Sequence, residues 1–275
     1  MSAPLLDLLG LMERLRGPDG CPWDRAQNFA SIAPYAIEES YEVADAIERA
    51  SMPDLKDELG DLLFQVVFLA QLAREAGHFD FDDVARSIHA KLVRRHPHVF
   101  DEPAPEDGPL SIERQSAMWE EIKARERGTA SAVDGVPPAL PALMRAVKLS
   151  KRAARVGFDF NRAQDSADKV AEELAEVCEA AAADAMAAEA GGANETGVRG
   201  ASRETVEEVG DLLFAAANLA RKLEVDAEAA LRAANAKFER RFRGMERLAA
   251  QRGLRFDALG LVAQEALWQE VKRGE

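Results

Sequence analysis

Apolar residues recur along this chain at intervals of three and four, and no stretch shows sustained alternation of apolar and polar positions. That is the period of helices with one buried face, and it predicts an all-α fold. Leu5, Leu8, Leu9, Met12 and Leu15 mark a helix over 2–16 that stops at Gly17-Pro18. Residues 17–24 are loop by composition, with Trp23 either a packing plug or a platform for a ring-bearing ligand. Ser31 is the expected cap of a helix over 31–50 with Pro34 in its first turn, and Asp54 the expected cap of a helix over 54–77 closed by Gly77. Another helix runs to Arg95, and His96-Pro97-His98 is expected to be the turn that ends it. Further helices are predicted over 111–127, 145–155, 165–186, 202–223, 226–250 and 257–272. From Leu62 to Leu72 the second long helix is apolar almost all round, so it needs cover on several sides. One small domain has few helices to supply it, and dimerisation is expected to complete the bundle.

The pattern is written twice. Glu38-Glu39-Ser40-Tyr41-Glu42 precedes Glu58-Leu59-Gly60-Asp61 by fifteen residues, and Glu172-Glu173-Leu174-Ala175-Glu176 precedes Glu208-Val209-Gly210-Asp211 by 31. Each second acid pair runs into an apolar stretch, LLFQVVFLA in one half and LLFAAANLA in the other. Downstream, Lys91-x-x-Arg94-Arg95 is matched by Lys237-x-x-Arg240-Arg241, and Trp119-x-x-x-Lys123 by Trp268-x-x-x-Lys272. Four elements in one order indicate an internal duplication. The expected organisation is therefore two tandem helical domains, 1–127 and 142–275, joined by the small-residue and proline-rich linker 128–141. The excess between Glu176 and Glu208 reads as an insertion around 187–202.

Residues three apart share a helix face. Glu39 with Glu42, and Glu58 with Asp61, can thus aim four carboxylates from two neighbouring helices at one point. Such a cluster is self-repelling, and a hard divalent cation with oxygen ligands is what relieves it. The absence of imidazole from the set favours Mg²⁺, with Mn²⁺ as the alternative. A solvated acidic face explains one such spacing but not its repetition.

Composition narrows the partners. A net charge of −14 excludes broad binding to nucleic acid or anionic membrane. No apolar run approaches the roughly 18 residues a membrane span needs, and the start has no signal-peptide pattern. The two cysteines, Cys21 and Cys178, provide neither a disulfide framework nor a cysteine zinc site, so a reducing cytoplasm is the expected compartment. A small, phosphate-rich ligand remains compatible with the acidity. Metals would bridge it to the carboxylates, while Lys91, Arg95 and Lys123, or Lys237, Arg241 and Lys272, would meet its far oxygens. Trp119 and Trp268 are candidates for stacking on a base or for plain helix packing. No glycine-rich phosphate loop and no Cys–His or Ser–His–Asp set is present, so the residues indicate metal-assisted phosphoanhydride hydrolysis.

Taken with CPWD, ELGDLLFQVVF, RRHPHVF, LPALMRA, VGFDF and KFERRF, the repeated acid motif resembles the MazG family of nucleoside triphosphate pyrophosphohydrolases over nearly the whole chain. The resemblance implies an all-α homodimer that cleaves nucleoside triphosphates with Mg²⁺ between the α and β phosphates, clearing unwanted nucleotides. It implies Glu173, Glu176, Glu208 and Asp211 as metal ligands, with Glu39, Glu42, Glu58 and Asp61 as their counterparts. Glu172 and Glu38 would orient or deprotonate water. Lys169, Lys237, Arg241, Trp268 and Lys272 would contact phosphate and base. Lys169 stands one turn before Glu173 where the first half has Tyr35, which makes the second half the expected main catalyst. The competing readings are a hydrolase narrowed to one modified nucleotide, and a non-catalytic nucleotide-sensing or protein-docking module.

Overall fold

The computed structural model describes residues 3–100, 131–189 and 201–275, together with Ser111, Arg114, Gln115, Met118, Trp119, Ile122 and Glu126. Every regular element among the described residues is helical. The chain divides into two compact units, Met1–Glu126 and Arg127–Glu275. The first contains α1 (Ala3–Arg16), α2 (Pro22–Ala26), α3 (Phe29–Glu48), α4 (Met52–Glu75), α5 (Phe81–Arg95) and α6 (Pro97–Phe100). The second contains α7 (Ala142–Ala154), α8 (Ala163–Glu189), α9 (Arg203–Lys222), α10 (Ala227–Gln251), a 3₁₀ turn at Phe256–Ala258 and α11 (Leu261–Arg273).

The first unit is built on the antiparallel pair α3–α4. Only Arg49–Ser51 separate the two helices, and Ala50 takes a left-handed φ of 52° so that the Ser51 N–H returns to the Ala46 carbonyl at 3.0 Å. Arg49 ties both ends together by pairing with Asp45 and Asp54. A hairpin that turns at residue 50 sets residues equidistant from 50 at the same height. Glu42 faces Glu58 by this rule, and Glu39 faces Asp61. The short connection therefore sets the acid cluster.

Several helix ends depart from expectation. Asn28, not Ser31, caps α3: its Oδ1 accepts from the Ala30 and Ser31 N–H groups, while Ser31 Oγ accepts the Asn28 N–H. This reciprocal box starts the helix earlier and moves Pro34 into its second turn. Asp54 does not cap α4, which begins at Met52 with Pro53 in its first turn, where a missing N–H costs nothing. The expected loop over 17–24 closes on the short helix α2, and its tight return needs Gly20, where a Cβ would lie 2.1 Å from the Leu15 carbonyl oxygen. Residues 131–141, read as linker, carry the buried Val136, and Arg152 of α7 donates to the Asp134 carbonyl at 2.6 Å. The expected loop at 101–110 and most of the insertion between Glu176 and Glu208 lie outside the described residues.

The first core gathers Met12, Ile32, Val67, Phe68 and Leu72, with Phe64 edge-on to Phe68. Arg16 pairs with Glu75 at 2.7 Å and lies over the Phe68 ring, sealing the end of this core. In the second unit Met245, Ala249 and Leu267 pack α10 against α11, with Phe256, Trp268 and Val271 around them. The apolar run of α4 is covered at Val67, Phe68, Leu72 and Ala73, but Leu59, Leu63 and Val66 form an exposed stripe. On α9 Val206, Val209 and Leu213 are likewise exposed.

Candidate active site

Two carboxylate clusters emerge where the paired helices face one another. Glu39, Glu58 and Asp61 present oxygens within 4.8 Å of one another, and so do Glu173, Glu176 and Glu208. Glu42 adjoins the first group, close enough to raise the Glu39 and Glu58 carboxyls, and Asp211 stands with Glu173 on the wall of a cavity. Three of the four predicted ligands thus converge in each unit. In the second unit this happens despite the 31-residue interval, because Asp184 of α8 anchors the start of α9. Its carboxylate accepts the Ser202 N–H at 2.8 Å and the Thr205 hydroxyl at 2.7 Å, fixing the helix register outside the insertion.

The electrostatics are those of crowded anions. Burial, then the neighbouring Glu42 and Asp61, push the Glu39 carboxyl above its ordinary range. Glu58 is raised by burial and by Glu42 and Asp61, and Glu176 by burial and Glu173. Each side chain supplies only hard oxygen, with no histidine or thiolate in either group, a donor set suited to a divalent cation.

The two clusters are neutralised differently. Lys169 reaches Glu172 and Glu173, each at 2.7 Å, and both bonds hold its ammonium charged. Glu173 is only 6% exposed, so this cation compensates a buried charge. In the first unit Tyr35 occupies the equivalent place, and Gln65 donates to Glu39 at 3.3 Å instead. Gln65 is buried, and its Oε1 has no hydrogen-bond partner among the described residues. Glu172 and Glu38 both lie exposed at the rim.

A cavity of about 570 Å³ opens beside the second cluster. Lys169, Glu173 and Asp211 are among its charged lining residues, with Leu149, Phe160 and Phe214 on its apolar walls. Sequence reasoning missed this chamber, along with Asn218 and Arg221, which line it further along α9 than Asp211. The available signal was Asn218 itself, a polar residue set in the repeated apolar run where the first half has Phe68.

The downstream cations are placed elsewhere. Lys237, Arg241, Trp268 and Lys272 sit on α10 and α11, and none lines the chamber. Arg241 pairs with Glu275 at 2.7 Å and lies over the Trp268 ring, which packs on Phe238. In the first unit Lys91 is half-buried on α5. Arg95 pairs with Glu126, whose pKa falls to about 2, and Trp119 donates to the Arg95 carbonyl at 2.6 Å. Lys123 lies outside the described residues.

Asp159 anchors the chamber's loop by accepting from Arg221 and from Lys222, the latter at 3.2 Å. Burial acts upward on this carboxyl, but the two cations outweigh it and lower its pKa. The stabilisation is therefore present above the ordinary value of 3.8 and is lost as pH falls through the lowered one. Asp159→Asn is expected to cost about 1.5–3 kcal/mol, as for hydrogen bonds to charged groups, and to flatten the acid side of the stability profile. Urea denaturation at pH 7 and pH 3.5 measures both effects.

Comparison with known proteins agrees with the duplication. Residues 27–100 match the MazG nucleotide pyrophosphohydrolase domain, and residues 140–238 match phosphoribosyl-ATP pyrophosphohydrolase. The chain is 51% identical over 272 residues to a nucleoside triphosphate pyrophosphohydrolase of Escherichia coli K12, covering 98% of this chain and 97% of the relative. It is 41% identical over 271 residues to the nucleoside triphosphate pyrophosphohydrolase/pyrophosphatase MazG of Thermotoga maritima, covering 98% and 96%. Likeness of this extent runs through both acid clusters, and the chain belongs to the MazG family of nucleoside triphosphate pyrophosphohydrolases.

Proposed function

We infer that this protein hydrolyses nucleoside triphosphates to monophosphate and pyrophosphate, with Mg²⁺ held by Glu173, Glu176, Glu208 and Asp211 of a C-terminal domain spanning 142–275. The observation that carries this reading is a carboxylate cluster adjoining a ligand-sized chamber, with Glu173 common to both. The printed activity of relatives aligned over almost the whole chain supports it. Bound there, the metal supplies charge stabilisation on phosphate oxygens and a more acidic water. The chain's own groups do the rest. Lys169 exchanges its carboxylate partners for a phosphate oxygen as a point charge. Glu172, exposed beside it, orients the attacking water and takes its proton.

The first unit, as an N-terminal domain over 1–127, keeps Glu39, Glu42, Glu58 and Asp61 with Glu38 at its rim. Tyr35 and Gln65 in place of a cation leave it a weaker site for a triphosphate. The exposed stripes Leu59-Leu63-Val66 and Val206-Val209-Leu213 support a homodimer in which a second copy covers them. Lys237, Arg241, Trp268 and Lys272, away from the chamber in the single chain, would meet the phosphates and the base in that assembly. Clearance of unwanted nucleotides in the cytoplasm fits this chemistry, and no described helix is long and apolar enough to cross a membrane.

Incubation with ATP, dTTP and dUTP in Mg²⁺, with pyrophosphate resolved from orthophosphate, tests the reading. Monophosphate plus pyrophosphate, abolished by EDTA, is the expected result. Orthophosphate alone would contradict it.

A further inference from the structure

The carboxylates recur in both units, but the side chains beside them differ. α4 and α9 carry matched runs, and a chamber opens where the second run has its smaller residues. In the first unit Phe68 is fully buried against Met12 and Ile32. Its counterpart in the second is Asn218, and the counterpart of Gln65 is Ala215; both line the chamber. The smaller pair leaves open what Phe68 and Gln65 fill. The resulting space runs from Lys169, Glu173 and Asp211 past the rings of Phe160 and Phe214 to Asn218. A charged end, flat apolar walls and a polar opposite end match a phosphorylated ligand that carries an aromatic ring.

The polar end has a fixed hydrogen-bonding sense. Arg221 Nε donates to Asn218 Oδ1 at 2.8 Å, and Arg221 is itself held by Asp159. The amide oxygen is therefore engaged, and the orientation of the amide is set. Its NH₂ group makes no hydrogen bond among the described residues, so Asn218 has hydrogens to donate to a ligand.

We propose that the chamber receives the nucleobase of the triphosphate bound at the second acid cluster, and that Asn218 determines specificity by donating to a ring carbonyl oxygen. The proposal rests on the hydrolase reading of that cluster. It favours uracil over cytosine and hypoxanthine over adenine, pairs that differ by an oxo group in place of an amino group. An amino group at that position sets donor against donor.

The test compares kcat/KM for UTP against CTP and for ITP against ATP, in wild type and Asn218→Asp. One hydrogen bond of this kind gives a preference of about tenfold. In Asn218→Asp, Arg221 keeps one carboxylate oxygen and the other accepts, so both ratios should fall below one. Asn218→Phe, carrying the first unit's residue, should fill the chamber and abolish nucleotide binding while Mg²⁺ still raises the melting temperature. Calorimetry with α,β-imido-UTP and α,β-imido-CTP reports the same preference without turnover. A wild type that shows the binding preference but releases no pyrophosphate defeats the hydrolase reading and leaves the base assignment standing. Wild-type ratios near one, ratios unmoved by Asn218→Asp, or undiminished nucleotide binding by Asn218→Phe overturn the base assignment.

Discussion

Glu208→Gln is expected to lower kcat for nucleoside triphosphates by at least about 100-fold, since loss of even an outer partner of a metal ligand commonly costs about 10–100-fold. The substitution keeps size and shape while removing one of the three convergent carboxylates of the second unit. It should not harm the fold. Glu208 is one of the charges that push Glu176 upward, so its removal relieves repulsion when no metal is bound. The melting temperature in EDTA is accordingly expected to stay level or rise, while the stabilisation by Mg²⁺ shrinks. Steady-state kinetics and thermal melts with and without Mg²⁺ read the two effects separately. A melting temperature that collapsed along with activity would make Glu208 a structural residue instead.

Phe68→Ala carries the largest expected loss of stability. Phe68 is fully buried at the centre of the first core, beneath Arg16 and edge-on to Phe64. Truncating a phenylalanine at such a site costs about 3–5 kcal/mol. Urea denaturation, with hydrogen exchange followed in α4, measures it. Because the proposed hydrolytic site lies in the second unit, turnover per folded molecule should persist at temperatures where the variant remains folded. A loss under about 1 kcal/mol would contradict the packing described for that core.

Phe68 and Asn218 also show where the sequence was legible and where it was not. Helix class, the duplication and the meeting of acid pairs follow from period and spacing, both local properties. The pairing of Glu42 with Glu58 and of Glu39 with Asp61 needs only a hairpin centred on residue 50. Lys169 reaching Glu172 and Glu173 is likewise a spacing of three and four on one helix. Helix ends were less legible, because Asn28 and Ser31 can each begin a helix. Their reciprocal bonding, not residue type, decides that Asn28 is the cap.

The chamber was not legible, since it depends on side-chain volume summed across α7, α8 and α9. Placement of Arg241 and Trp268 depends on how α10 meets α11, which no motif encodes. Those two residues stand with Glu275 and Phe238, away from the chamber wall. Asp184 is a further case. Nothing in its acidic, alanine-rich surroundings distinguishes it, yet its bonds to Ser202 and Thr205 hold the second cluster in register.

The central claim is that the acid cluster of the second unit cleaves triphosphates between the α and β phosphates. Its most direct measurement is product analysis on ATP with Mg²⁺ for wild type, Glu208→Gln and the matched Glu58→Gln. AMP and pyrophosphate from wild type and from Glu58→Gln, with almost none from Glu208→Gln, is the predicted result. Loss of both products in Glu58→Gln with full retention in Glu208→Gln would contradict it.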